Sequence, residues 1–139
     1  MIADKKKFLV VIPARGGSKR FPGKNIHPLM GKPLISYPIV IAKQATGVDR
    51  VIVSTDDQAI AAVAREYGAE VPFLRPSELA DDWSSVIDAM IYTVNTLKSK
   101  EGYHADYTIL LQPTTPLVER VHIEDAILLA KKHDADSVV

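Results

Sequence analysis

Cysteine is absent from the 139 residues. Disulfide bridges and thiolate-held metals are excluded, and the chain suits a reducing compartment, so a cytoplasmic location is expected. Long apolar runs are absent too. The N-terminal one, Phe8 to Pro13, is far shorter than the roughly 20 residues a membrane-spanning helix needs, and no small-residue cleavage pattern precedes the charged loop that follows. A soluble protein with no membrane partner is expected. The sequence also lacks internal repeats, low-complexity segments and a linker. One domain, residues 1–139, is therefore expected, of a size that buries about two thirds of its unfolded surface.

Net charge is missing as well, with 17 basic against 17 acidic residues, but the balance conceals an asymmetry. Residues 1–36 hold eight cations (Lys5, Lys6, Lys7, Arg15, Lys19, Arg20, Lys24 and Lys32) and one acid, Asp4, a net of +7. The other 103 residues hold nine basic and sixteen acidic groups, a net of −7. Gripping a long nucleic acid requires many phosphate contacts spread over a surface, which this distribution does not offer. A small polyanion suits one cationic loop on an acidic body. Lys5 to Lys7 read as a solvated N-terminal tail.

What is present alternates between two periodicities. Apolar runs suited to buried strands are Phe8–Pro13, Arg50–Ser54, Glu70–Phe73 and Tyr107–Leu111, with a further one opening at Ser137. Helical spacing lies between them. Ile60, Val63, Ala64 and Tyr67 share one face, with Asp56 or Asp57 as N-cap and Gly68 as the left-handed C-terminal residue. Ile87, Met90, Ile91, Val94 and Leu97 make a second stripe after a Ser84-Ser85 cap, and Ile123, Ile127 and Ala130 a third. Residues 34–46 are expected to be helical, with Pro38 either near the start or at a kink. This order predicts an α/β fold, a mainly parallel sheet with helices on both faces. The longest irregular stretches, 14–33 and 74–84, are where a site is expected.

The first of these follows directly on the first strand, as VIPARGGSKRFPGKN, Val11 to Asn25. Open α/β sheets bind ligands at the carboxyl ends of their strands. Gly16 and Gly17 let backbone N–H groups converge on an anion, and Arg15, Lys19, Arg20 and Lys24 can neutralise it. An arginine fork grips phosphate oxygens, whereas lysine supplies a point charge. A di- or triphosphate is the ligand this chemistry suits. Two common phosphate loops do not match: five residues separate Gly17 from Gly23 and Asn25 follows Lys24, against the G-x-x-x-x-G-K-[ST] pattern, and Gly16-Gly17-Ser18 breaks G-x-G-x-x-G. A Gly-rich surface turn with solvated lysines is the plainer alternative.

VIPARGGSKRFPGKN, GKPLISYPI, VIVSTDD, VPFLRPSELADD and LLQPTTPL occur in that order from about residue 8 to the end. Together they resemble the acylneuraminate cytidylyltransferase family, the CMP-sialic acid synthetases and their relatives for pseudaminic and legionaminic acids. The synthetase for the eight-carbon sugar KDO shares the opening PAR but continues P-G-K-P where this chain has Pro22-Gly23-Lys24-Asn25, which favours the nine-carbon branch. The resemblance implies a Rossmann-like domain of the nucleotide-diphospho-sugar transferase type. It implies a reaction in which the anomeric hydroxyl of an α-keto acid sugar attacks the α-phosphate of CTP and releases pyrophosphate. CTP and a nine-carbon sugar acid are the implied partners, with Mg²⁺ as cofactor.

Carried over by position, Ala14, Arg15, Gly16, Gly17, Ser18 and Lys24 match the loop that binds the triphosphate, Arg15 and Lys24 being the implied catalytic cations. Asn25 matches a nucleoside-contacting position. Arg75, in LRPSEL, matches the arginine that reads the cytosine carbonyl; a surface ion pair with Glu78 is its other reading. Gln112 matches a glutamine facing the sugar acid, and Ser85 aligns with another site serine across a loop one residue shorter than the family's. The implied Mg²⁺ ligands are an aspartate pair downstream of this chain, so none is assigned within it. Asp56-Asp57 read as helix caps, Asp81-Asp82 as an acidic turn, and His27, His104, His122 and His133 as surface residues without cluster spacing.

Two departures from the family pattern stand out. Val118 and Glu119 follow Pro116-Leu117 where an arginine is common, with Arg120 able to substitute only if the turn shifts. Val139 lies within an expected strand, so the chain is expected to be truncated at its C-terminus relative to the family, without the segment through which the family's homodimers pack. Three functions follow: a CMP-sugar synthetase represented by its nucleotide-binding part, a catalytically incompetent nucleotide-binding module, or a nucleotidyltransferase for KDO, another sugar or another base.

Overall fold

The computed structural model describes residues 6–14, 28–29, 31–75, 86–112 and 119–133. Its sheet is built from β1 (Phe8–Pro13), β4 (Val48–Ser54) and β5 (Tyr107–Leu110); β2 (Pro28–Leu29) and β3 (Lys32–Pro33) form a small antiparallel pair. The helices are α1 (Ser36–Gln44), α2 (Gln58–Glu66), α3 (Val86–Glu101) and α4 (Arg120–His133). The three main strands are parallel in the order β4-β1-β5.

Alternation along β1 explains the layering. Phe8, Val10 and Ile12 point to one face and are buried with Ile39, Ile60, Ile123 and Ile127 from α1, α2 and α4. Leu9 and Val11 point to the other, where Ile52 of β4 and Leu97 of α3 meet them. Helices thus cover both faces, as the alternating pattern predicts. The faces follow from chain direction: the path steps from β1 to β4, then to Glu70, which makes a parallel bridge with Ile52 beyond β4. It returns through α3 to β5 on the far side of β1. Right-handed crossovers in opposite directions along a sheet put their helices on opposite faces.

Local chemistry sets the element ends. Asp57, not Asp56, caps α2: its carboxylate accepts from the N–H groups of Ala59 at 2.7 Å and Ile60 at 3.1 Å. Gly68 ends that helix with φ of +100°, a conformation a side chain would strain. Pro38 falls in the first turn of α1, where its missing N–H has no intrahelical partner to lose, so the helix starts at Ser36 without a kink.

Two expectations are corrected. The strand expected over Glu70–Phe73 is an isolated bridge at Glu70, with Glu70 N–H donating to Val51 O and Val53 N–H to Glu70 O. Pro72 has no N–H with which to extend the ladder. On α3, the expected apolar stripe is only partly the core face: Ile87 and Ile91 are 58% and 53% exposed. Ala89, Thr93, Thr96 and Leu97 are buried instead. Small side chains let the helix approach the sheet closely, and the Thr93 hydroxyl is satisfied by donating to Ala89 O at 2.8 Å. The third stripe, Ile123, Ile127 and Ala130, is buried as expected. The strand expected at Ser137 lies outside the described residues.

Candidate functional site at the carboxyl edge of the sheet

The chain moves outward from β1 in one direction to β4 and in the other to β5. This reversal of strand order is a topological switch point, and open α/β sheets bind ligands beside such points, at the carboxyl ends of their strands. Three expected site residues stand there. Ala14 directly follows β1, Gln112 follows β5 by one intervening residue, and Arg75 is held against the end of β4. Successive strands lie about 4.8 Å apart, so these positions form a row along one edge.

Ser54, the last residue of β4, organises that edge. Its carbonyl oxygen accepts two hydrogen bonds, one from Ala14 N–H at 2.9 Å and one from Arg75 Nη2 at 3.3 Å. Arg75 N–H donates to Thr55 O at 2.8 Å, and Thr55 Oγ1 accepts from Asp57 N–H at 3.1 Å. Arg75 is 6% exposed. It is a buried cation whose guanidinium donates to a backbone carbonyl at a strand end, not a surface residue; Glu78, its other expected partner, lies outside the described residues. The start of the cationic loop and this guanidinium are thereby fastened to one carbonyl oxygen. On the other flank, Leu111 N–H donates to Val11 O at 3.1 Å, which places exposed Gln112 just beyond β5.

The remaining site expectations, Arg15, Gly16, Gly17, Ser18, Lys24, Asn25 and Ser85, lie outside the described residues, as do Asp81, Asp82, His27 and Val118. Arg120 opens α4 and pairs with Glu124 at 3.7 Å. His104 and His122 are exposed. Among the described residues, no group of three or more His, Cys, Asp or Glu side chains could hold a metal ion. The Asp57 carboxylate is engaged in capping α2, so the described residues do not fit a Mg²⁺ site. What the sequence reading missed is a role for Ser54 and Thr55: their stretch, VIVSTDD, carries part of the family resemblance but reads residue by residue only as a strand end and a cap.

A second charged cluster lies at the opposite, amino-terminal end of β4. Arg50 donates to Glu70 and, at 3.1 Å, to Glu101, with the Tyr103 ring 4.7 Å beneath the guanidinium. The hydrogen bonds that Arg50 donates to Glu70 lead in raising the Arg50 pKa above its ordinary value. Burial, followed by the 2.7 Å hydrogen bond to Asp49, raises that of the Tyr103 phenol. These charges compensate one another and pin α3 to the sheet. No helix among the described residues is long and apolar enough to cross a membrane.

Known proteins resemble this chain in sequence and in fold. The chain is 45% identical over 125 residues to a CMP-N,N'-diacetyllegionaminic acid synthase of Legionella pneumophila, covering 90% of this chain and 53% of that protein. It is 42% identical over 120 residues to a pseudaminic acid cytidylyltransferase of Campylobacter jejuni, covering 86% and 51%. The chain spans about half the length of these relatives. Among solved structures, a CMP:2-keto-3-deoxy-manno-octonic acid synthetase complexed with CTP superposes with a TM-score of 0.79 at 28% identity, over 94% of this chain and 49% of that one. A 4-diphosphocytidyl-2C-methyl-D-erythritol synthase from Anaerococcus prevotii, at 13% identity and a TM-score of 0.60, shares the fold. The cytidylyltransferase family model matches residues 9–139, from the second residue of β1 to the end of the chain, and the chain belongs to that family.

Proposed function

We propose that the chain is the nucleotide-binding part of a cytidylyltransferase that activates a nine-carbon α-keto acid sugar with CTP, giving a CMP-sugar and pyrophosphate. The observation that carries this reading is the row of Arg75, Ala14 and Gln112 along one sheet edge. A CTP molecule laid along it has its base at β4 beside Arg75, its phosphates over β1 on the loop that Ala14 opens, and the sugar acid at β5 beside Gln112. The spatial order of the strands then equals the order of groups in the reacting complex.

In this scheme the anomeric oxygen forms a bond to the α-phosphorus as the bond from that phosphorus to the bridging oxygen breaks. Charge grows on the departing pyrophosphate. Arg15 and Lys24, with the N–H groups around Gly16, Gly17 and Ser18, are the groups that stabilise it, and Asn25 and Ser85 complete the nucleoside and substrate contacts. Phosphoryl-type transfer responds chiefly to such positioning and charge stabilisation. Mg²⁺ would offset charge at the α-phosphate when bound, and no step here depends on it. A cytoplasmic location, where CTP is available, is part of this proposal.

The substrate class rests on the order of the relatives. Identity is 45% and 42% to the legionaminic and pseudaminic acid enzymes, against 35% to an 8-amino-3,8-dideoxy-manno-octulosonate cytidylyltransferase of Shewanella baltica. Calorimetric titration of the chain with CTP, UTP, GTP and ATP, each with Mg²⁺, tests the nucleotide half of the proposal. CTP is expected to bind at least about tenfold tighter than the others, a difference of ~1.4 kcal/mol. Equal affinities, or no binding by a folded sample, would overturn it.

A further inference from the structure

Ser54 is 2% exposed, and its Oγ has no hydrogen-bond partner among the described residues. Buried hydroxyls are rarely left in this state, because an unpaired polar group away from water is costly. Its location suggests why this one persists. The residue ends β4 at the carboxyl edge of the sheet, and its own carbonyl holds both the Arg75 guanidinium and the N–H of Ala14. The residue that carries the unpartnered hydroxyl thus also holds, through its carbonyl, the buried cation and the first residue after β1. Thr55, the next residue, is not in this condition, since its Oγ1 accepts from Asp57 N–H.

We infer that Ser54 is a nucleoside-binding residue whose Oγ hydrogen-bonds the base or ribose of the bound nucleotide beside Arg75. The inference rests on the proposal that this edge binds CTP. A side-chain hydroxyl can donate and accept at once, so it can pair with a carbonyl, a ring nitrogen or a ribose hydroxyl. A guanidinium only donates. The two together read a donor–acceptor pattern that the guanidinium alone cannot distinguish. The vacant hydroxyl is in this sense a polar group kept unsatisfied by the protein until a ligand satisfies it.

The test is the Ser54→Ala variant of the full chain, titrated with CTP and separately with inorganic tripolyphosphate, with thermal unfolding recorded without ligand. CTP affinity is expected to fall about 3- to 10-fold, the effect of one neutral hydrogen bond, while tripolyphosphate affinity is unchanged. The unliganded variant is expected to melt at or above the wild-type temperature, because removing an unsatisfied buried hydroxyl leaves no partner behind. Unchanged CTP affinity overturns the inference and identifies a hydroxyl served by water. Equal losses for both ligands together with a lower melting temperature also overturn it, by assigning Ser54 to the scaffold. A wild-type chain that binds no CTP instead overturns the proposed function, and this inference falls with it.

Discussion

Arg75 shows how much one residue's role depends on what surrounds it. In sequence it is one cation within LRPSEL, close to Glu78. In the fold it is buried, with its guanidinium on Ser54 O and its own N–H on Thr55 O. Position and orientation are thus set by backbone, which suits the base-reading role proposed for it. Arg75→Lys keeps the charge but loses the planar fork. Under the proposed function, competition titrations with CTP and UTP should show the preference for CTP shrinking by about 3- to 10-fold, the effect of one hydrogen bond. A variant that is folded and equally selective would remove Arg75 from base recognition.

At the scale of elements, α3 carries the clearest divergence between pattern and packing. Its apolar residues at 87, 90, 91, 94 and 97 fit helical spacing, yet the face against the sheet is the one bearing Ala89, Thr93 and Leu97. Ile87 and Ile91 instead line an open groove with Met90, Val94, Asn95 and Thr108 of β5. The consequence is an unequal response to substitution. Leu97→Ala should destabilise the chain by about 2–5 kcal/mol, as for a fully buried leucine. Ile91→Ser should change stability by no more than about 0.5 kcal/mol, as for an exposed position. Urea unfolding of both variants checks this, and comparable losses would mean that the helix sits with its other face to the sheet.

For the molecule as a whole, the turn between α1 and β4 joins three elements. Thr46 N–H donates to Glu124 Oε2 at 2.7 Å, and two Ile127 methyl groups lie 3.3 Å from where a Cβ on Gly47 would stand. The Thr46 N–H, with a smaller contribution from Arg120, holds the Glu124 carboxyl below its ordinary pKa. A carboxylate with a lower pKa in the folded state contributes stability above its unfolded value and loses it as pH falls through the folded one. Stability measured by urea midpoints should therefore decline below the usual carboxylate range, and Glu124→Gln should flatten that part of the profile. Parallel profiles for wild type and variant would show that the tie between α4 and this turn contributes nothing to the pH dependence.

The layered α/β architecture was legible in the sequence because it depends on periodicity. The continuous apolar run of β1, buried on both faces, and the i, i+4, i+7 stripe of α4 each mark which side chains are buried, and Asp57 with Gly68 marks the ends of α2 through local hydrogen bonding and backbone strain. The cationic loop, outside the described residues, is read from the sequence alone, because phosphate chemistry demands glycines and cations close together in the chain. Tertiary structure alone decided the rest. Sequence spacing does not say which face of α3 meets the sheet, because small buried residues such as Ala89 and Thr93 carry little hydrophobic signal. Nor does it bring residues 14, 54 and 75 to one carbonyl oxygen. Those contacts exist only after β1 and β4 pair in register, Pro13 beside Ser54, and the chain beyond Glu70 turns back along the end of β4. Ser54 escaped the sequence reading for that reason: an unpaired hydroxyl is a property of the packed surroundings, not of the residue.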